Sequence, residues 1–107
     1  MEIIFHAHRA VISNNMRLRA ERVARKLGAR VRRPVDAIVR FEQDGPTRRV
    51  EIVLHAPGKR SIVAEGSARH YGPALADAAT RMEARLGRVK RTPKARARAG
   101  ARTVARV

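Results

Sequence analysis

The chain is 107 residues long and strongly basic, with 25 Arg or Lys residues against 9 Asp or Glu residues and a formal net charge of +16. This length favours one domain with a single small core, and the absence of cysteine excludes disulfides, thiolate zinc sites and thiol catalysis. Because 21 of the 25 basic residues are Arg, whose forked guanidinium fits two phosphate oxygens at once, the composition indicates a polyanionic partner.

The hydrophobic pattern favours a soluble, cytoplasmic protein. No uninterrupted apolar run exceeds three residues, and Glu2 directly after Met1 is not the basic start of a secretory signal. The candidate helices also lack the bulky apolar face that insertion into a membrane surface requires. We therefore expect no membrane partner.

The first elements in the chain are a short strand around Ile3 and Phe5 and then a helix. Ser13 or Asn14 is a candidate helix cap, and Gly28 is a candidate stop. Between them, apolar residues recur at helical spacing, which predicts one buried stripe. The stripe consists of Met16, Ala20, Val23, Ala24 and Leu27.

From Val35 the period changes to two, which predicts β-strands. Apolar residues alternate with polar ones over residues 35–42, 50–55 and 61–65. Asp44-Gly45-Pro46 and Pro57-Gly58 separate these segments and have the composition of turns. The pattern predicts a three-stranded antiparallel meander.

A second helix is predicted from Pro73 to about Arg91, before Thr92-Pro93. The fold class is therefore α+β, in the order β-α-β-β-β-α, with a four-stranded sheet. A right-handed crossover places the first strand parallel to the second and packs both helices on one sheet face. Residues 1–92 form the predicted domain, and residues 93–107, with five basic residues after Pro93 and no acid, form a basic tail expected to be disordered in isolation.

The second helix carries the sharpest functional signal, a stripe of Arg81, Arg85 and Arg88 opposite its predicted buried residues. Asp77 and Glu83 are expected to flank this stripe without neutralising it, so we interpret the stripe as a phosphate-binding surface rather than an ordinary solvated face. Basic residues of the first helix and of its following loop give a weaker signal. They are Arg17, Arg19, Arg22, Arg25, Lys26, Arg30, Arg32 and Arg33.

Other chemistry finds little support in the sequence. His6 and His8 share one side of a strand, but no motif places a carboxylate beside them, so we predict no metal site. No arrangement of nucleophile, base and acid is evident, and we predict no catalytic residue and no cofactor. Tyr71, just before the second helix, is interpreted as a half-buried packing residue, with base stacking as the alternative.

Three segments resemble the ribosome hibernation-promoting factor family, which includes the ribosome-associated inhibitor. They are Ile12-Ser13 with Met16, Arg17 and Leu27; Val63-Ala64-Glu65-Gly66; and Arg81-Met82-Glu83-Ala84-Arg85-Leu86. The likeness covers roughly residues 1–91. Residues 67–77 depart from the family pattern, so their register is open, and the chain resembles a short form without the separate carboxy-terminal domain.

The resemblance implies a fold like that of double-stranded-RNA-binding domains and a non-enzymatic role. Such proteins sit in the messenger and transfer-RNA channel of the small ribosomal subunit and silence translation under stress. The expected partner is thus small-subunit rRNA, with no small-molecule substrate and a monomer off the ribosome. The predicted RNA-binding residues are Arg17, Arg22, Arg25, Lys26, Arg81, Arg85, Arg88, Lys90 and Arg91.

Two other functions stay open at this point. One is a general RNA-binding or RNA-chaperone module of the same architecture without a preferred ribosomal site, because contacts between Arg and phosphate carry little base sequence. The other is an adaptor whose basic face binds an acidic protein. The tail, too, is compatible either with anchoring on a polyanion or with a simple solubility extension.

Overall fold

The computed structural model describes residues 1–34, 36–58 and 61–102, with the side chains of its last helix described through Gly87. The elements are β1 (Glu2–His8), α1 (Asn14–Gly28), β2 (Asp36–Asp44), β3 (Thr47–His55), β4 (Ile62–Ala68) and α2 (Tyr71–Arg102). The predicted α+β class and element order are confirmed. The comparison with double-stranded-RNA-binding domains stays a prediction.

The four strands form one sheet in the order β1-β2-β3-β4. β1 pairs with β2 in parallel, and the other two pairings are antiparallel, as the sequence predicts. Only Gly45 and Pro46 connect β2 to β3, since Asp44 is paired with Thr47. Gly45 has a φ of +61°, a conformation that this tight connection requires and that glycine adopts without strain.

Both helices lie on one face of the sheet, which we call the inner face. Strand residues of this face alternate with those of the opposite face, and the largest fully buried one, Phe41, is 1% exposed. α1 adds Ala20, Ala24 and Leu27 to the core, and α2 packs mainly on β3 and β4. The core residues supplied by the strands are Ala37, Val39, Phe41, Val50, Ile52, Leu54 and Ala64.

The start of α1 follows the predicted cap. The Ser13 side-chain oxygen accepts a hydrogen bond from the Met16 backbone N–H at 3.1 Å. This satisfies one of the amide donors that a helix leaves unpaired in its first turn. The cap fixes where α1 begins, and the buried stripe determines which of its residues face solvent.

Gly66 of β4 is where α2 lies closest to the sheet. A β-carbon at this position would collide with the Ala74 carbonyl oxygen and the Ala78 backbone nitrogen, and would lie 2.9 Å from the Asp77 Cβ. Only glycine leaves room for the helix backbone here. The Glu65-Gly66 pair is part of the family resemblance, and the close approach of α2 explains why its second residue is glycine.

α2 begins at Tyr71, slightly before the predicted Pro73, and extends beyond the predicted end near Arg91 to Arg102. Thr92-Pro93 was the sequence sign for an end, because proline lacks an N–H and crowds the preceding turn. The surrounding residues are mostly Ala, Arg and Lys, which favour helix strongly. The predicted boundary between domain and tail at residue 92 stays a prediction, and residues 103–107 of the predicted tail lie outside the described residues.

Within the described part of the chain, no helix is both long enough and apolar enough to cross a membrane.

Candidate RNA interface

α1 presents a basic surface to solvent, which we call the α1 surface. Ala20, Ala24 and Leu27 are buried on one side of the helix, so the opposite side faces solvent. The surface consists of Arg22, Arg25 and Lys26, which are all exposed. Leu18 lies one turn before Arg22 on the same side of α1 and is 51% exposed, so an apolar side chain adjoins this basic surface.

Arg25 is the one member of the α1 surface with an ion pair among the described side chains. Its Nη2 and Nε atoms donate to Glu21 Oε2 at 3.1 and 3.3 Å. Both side chains are more than a third exposed, so water and salt screen the pair, which contributes about 0.3–0.5 kcal/mol to stability. A phosphate group therefore faces little competition for Arg25.

Arg17, the other predicted RNA-binding residue of α1, lies apart from the α1 surface. Its guanidinium carbon is 5.3 Å from the centre of the Phe5 ring, an arrangement that fits a cation–π contact with β1. Arg19, which was not among the predicted binding residues, extends toward Gly72 at the start of α2. The side chains of Arg17 and Arg19 are both exposed, and these contacts set the directions in which they point.

α2 carries Arg81 and Arg85 on a second surface, the α2 flank. One residue pair corrects the sequence interpretation, because Arg81 Nε donates to Asp77 Oδ1 at 3.3 Å. Asp77 therefore compensates part of the charge that was expected to stand unneutralised. Arg85 is exposed and makes no ion pair among the described side chains.

The α2 flank lies beside the buried stripe of α2, next to β4, and not opposite that stripe as predicted. At about 100° per residue, Arg85 is only roughly 80° from Leu75 around the helix axis. Asp77, the partner of Arg81, approaches Gly66 of β4. The opposite flank of α2 faces the end of α1, where Arg30 Nη1 lies 3.8 Å from Glu83 Oε2.

The structure thus divides the predicted RNA-binding residues between two surfaces. Arg22, Arg25 and Lys26 lie on α1, whereas Arg81 and Arg85 lie on the far flank of α2. The side chains of Arg88, Lys90 and Arg91 lie outside the described residues. Sequence periodicity did not show this separation, because it orients each helix only about its own axis, and RNA binding by these residues stays a prediction.

The ion pairs within the helices were not predicted, although the spacing of their residues indicates them. Glu21 precedes Arg25, and Asp77 precedes Arg81, by four residues, with the acid nearer the amino terminus. This order is the favourable one for pairs on a helix surface. The i to i+4 spacing was the available signal.

The candidate aromatic and histidine residues occupy less basic surroundings. Tyr71 meets Phe41 edge to face, with ring centres 5.5 Å apart at 86°, and Arg48 lies 5.7 Å from its ring centre. Burial raises the pKa of the Tyr71 phenol above its ordinary value, and the Arg48 charge opposes that rise. This is the predicted packing role. His6 and His8 line a shallow concave site on the sheet face that the helices leave uncovered.

The fold and the two basic surfaces define a class of protein, a small α+β domain whose helical side suits a polyanion. The sequence matches the family described as "Sigma 54 modulation protein / S30EA ribosomal protein" over residues 3–94, and the chain belongs to that family. The resemblance to the ribosome hibernation-promoting factors is thereby confirmed. The family is one of ribosome-associated proteins.

Solved structures agree with the family assignment at the level of fold. A ribosomal subunit interface protein from Coxiella burnetii is similar with a TM-score of 0.69 and 17% identity, over 84% of this chain and 98% of that chain. The Protein Y N-terminal domain from Thermus thermophilus is similar with a TM-score of 0.71 and 22% identity, over 83% and 99% of the two chains. No curated protein matches the sequence.

Proposed function

We propose that this protein is a cytoplasmic ribosome hibernation factor, which binds small-subunit rRNA in the messenger and transfer-RNA channel and inhibits translation by occupying that site. The observation that carries the proposal is the combination of family membership over residues 3–94 with two exposed Arg surfaces on the helical side. Neither feature alone selects a ribosomal role, because the family assignment names no binding residue and Arg surfaces bind many polyanions.

The two surfaces support contact with folded RNA rather than with a single strand. The α1 surface and the α2 flank lie on different sides of the helix pair, so one domain can meet two phosphate backbones. Guanidinium groups fix position and orientation on a backbone without reading bases. Recognition then depends on the spacing of two RNA segments, which is a property of shape.

A ribosomal location is supported by one protein of the same fold, which is a ribosomal subunit interface protein. A site where the two subunits meet is compatible with that relative. The family resemblance supports the messenger and transfer-RNA channel as the site. In this proposal inhibition is steric, since bulk in the path of messenger and transfer RNA excludes initiation without any chemical step.

Ribosome co-sedimentation with excess free RNA as competitor tests the proposal. A channel-binding protein stays with small subunits when a large excess of unstructured RNA is added, because its two surfaces match one fixed RNA geometry. A variant lacking the α2 flank charges, Arg81→Gln with Arg85→Gln, should leave the ribosomal fraction while remaining folded.

The competing functions give different results in the same experiment. Release of the protein by free RNA at equal phosphate concentration would contradict a ribosomal site and identify a general RNA-binding module. Retention on a protein partner after nuclease digestion would instead identify an adaptor. Sedimentation with separated small and large subunits tests the choice of subunit, and light scattering of the free protein tests the expected monomer.

A further inference from the structure

The sheet face turned away from the helices, which we call the open face, is built from ordered cross-strand rows. One row is apolar and consists of Ile4, Ile38, Val53 and Val63. The next row is charged and consists of His6, Arg40, Glu51 and Glu65. No helix of the described chain covers these rows, so their charges face solvent.

The open face has the opposite charge from the rest of the molecule. It carries six acids and two Arg residues, a net charge of −4 with His neutral, in a protein of net charge +16. The described side chains of α1 and α2 carry seven basic residues and three acids, a net charge of +4. The acids of the open face are Glu2, Asp36, Glu42, Asp44, Glu51 and Glu65.

Most of these acids are already engaged within the sheet. Arg49 Nη1 lies 3.1 Å from Glu42 Oε1, and its Nη2 lies 3.9 Å from Asp44 Oδ2. Arg40 pairs with Glu51 at 3.3 Å, and His55 Nδ1 contacts Asp36 Oδ1. Among the described residues, these pairs leave two open-face carboxylates without an ion pair, Glu2 and Glu65. Glu2 and Glu65 therefore supply half of the net negative charge of the open face.

Glu65 occupies a position that fold stability does not explain. It lies directly opposite Glu51 in the antiparallel pair of β3 and β4, and like charges in that arrangement destabilise a sheet. Arg40 compensates Glu51 but not Glu65. A residue that opposes the stability of its own strand pair requires another reason, and repulsion of a polyanion from this face supplies one.

We propose that the open-face carboxylates, Glu65 and Glu2 above all, make RNA binding one-sided and so determine the orientation and specificity of this protein on RNA. This inference rests on the proposed function only in taking RNA as the partner. A helix layer is about 10–12 Å thick, more than the Debye length of about 8 Å at physiological salt. The acids therefore repel phosphate at the open face without cancelling the attraction at the helical side.

Charge reversal at the two unpaired positions tests the proposal. The variant Glu2→Arg with Glu65→Arg is compared with Glu21→Arg with Glu83→Arg, which makes the same net charge change on the helices. Each is titrated against a single-stranded uridine homopolymer over a range of salt concentrations, and against isolated small ribosomal subunits. A second open-face variant, Glu2→Gln with Glu65→Gln, removes charge without adding a new phosphate ligand.

The proposal predicts a specific pattern. The open-face Arg variant should bind the homopolymer several-fold more tightly, with a salt dependence steeper by up to about 1.4 in log–log slope for two new contacts. It should also load more than one copy on each subunit at low salt, because a second RNA-binding face is open. The Gln variant should change in the same direction by less, and should melt at a slightly higher temperature than wild type.

Two outcomes would overturn it. If the open-face Arg variant binds the homopolymer with the affinity and salt slope of wild type, the carboxylates do not exclude RNA. Subunit affinity that falls in the Gln variant, with homopolymer binding unchanged, would show that the carboxylates hold a basic protein of the subunit. The homopolymer arm is independent of any ribosomal site, so a wild-type protein that fails to bind subunits contradicts the proposed function and leaves this inference standing.

Discussion

At the scale of single residues, the positions that fix the fold are distinct from those that carry charge. Gly66 allows the backbone of α2 to reach β4, and Ser13 fixes the first turn of α1. Neither contributes to the basic surfaces directly. Gly66 sets how closely α2 approaches the sheet, and Ser13 sets where α1 begins.

Gly66→Ala should destabilise the protein by about 1–3 kcal/mol, because the new methyl group meets helix backbone that has no freedom to move aside. Gly87→Ala in α2 is the matched control. Nothing lies within 4 Å of a β-carbon there, and alanine favours helix over glycine by about 0.5–1 kcal/mol, so this variant should be more stable than wild type. Urea unfolding of both variants measures the difference, and an unchanged midpoint for Gly66→Ala would refute the close contact.

Tyr71→Phe should unfold with a free energy equal to that of wild type or up to about 1 kcal/mol higher. The Tyr71 hydroxyl is buried and has no hydrogen-bond partner among the described residues, so its removal loses no bond. The edge-to-face contact with Phe41 is preserved. Denaturant unfolding and ribosome binding are measured together. A clear loss of ribosome binding with stability intact would favour a direct RNA contact of Tyr71 over packing.

The sequence predicted the direction of most residues but not their partners. Burial follows backbone periodicity, so the two-residue period of β2 and β3 identifies their buried positions. In α1, helical spacing does the same for Ala20, Ala24 and Leu27. The spacing of Asp77 and Arg81 shows that the two side chains can meet, but whether they do depends on their rotamers, and the contact of Arg17 with Phe5 depends on how α1 lies against β1. Periodicity contains neither kind of information.

At the scale of elements, the sheet has two faces with opposite roles. Its inner face supports the helices, and its open face keeps a negative charge. The bounds of α1 and the strand order were predictable because turn residues and period changes mark them. The end of α2 was not, since Ala, Arg and Lys beyond Pro93 favour a helix that continues past the proline.

Removal of two charges from the α2 flank should weaken ribosome binding about tenfold or more at physiological salt, since each lost phosphate contact lowers the salt slope by up to about 0.9. The variant is Arg81→Gln with Arg85→Gln, and its melting temperature should stay near that of wild type. Arg81→Gln and Arg85→Gln should each cost part of this affinity, because the exposed pair of Arg81 with Asp77 is screened by water and salt and competes little with phosphate. Binding is measured by sedimentation with small subunits.

Arg40→Gln with Arg49→Gln provides the control, because it removes the same charge from the open face. Ribosome binding should change little in this variant. Equal losses in the two double variants would indicate that net charge alone governs binding and that the α2 flank has no special position.

At the scale of the whole molecule, the basic segment beyond Thr92 is expected to strengthen binding without choosing the site. A chain ending at Thr92 loses five basic residues, so the slope of log affinity against log salt should fall by at most about 4 to 5 units. Its chemical footprint on rRNA should stay in place. A displaced footprint would show that the segment selects the site, and an unchanged slope would show that it contacts no phosphate.

If the protein acts by occupying the path of messenger and transfer RNA, it must compete with initiator transfer RNA for vacant small subunits. Exclusive binding is reciprocal in free energy, so each ligand must weaken the other by the same factor. We expect saturating protein to displace transfer RNA and saturating transfer RNA to displace the protein. Simultaneous saturation of one subunit by both ligands would contradict it.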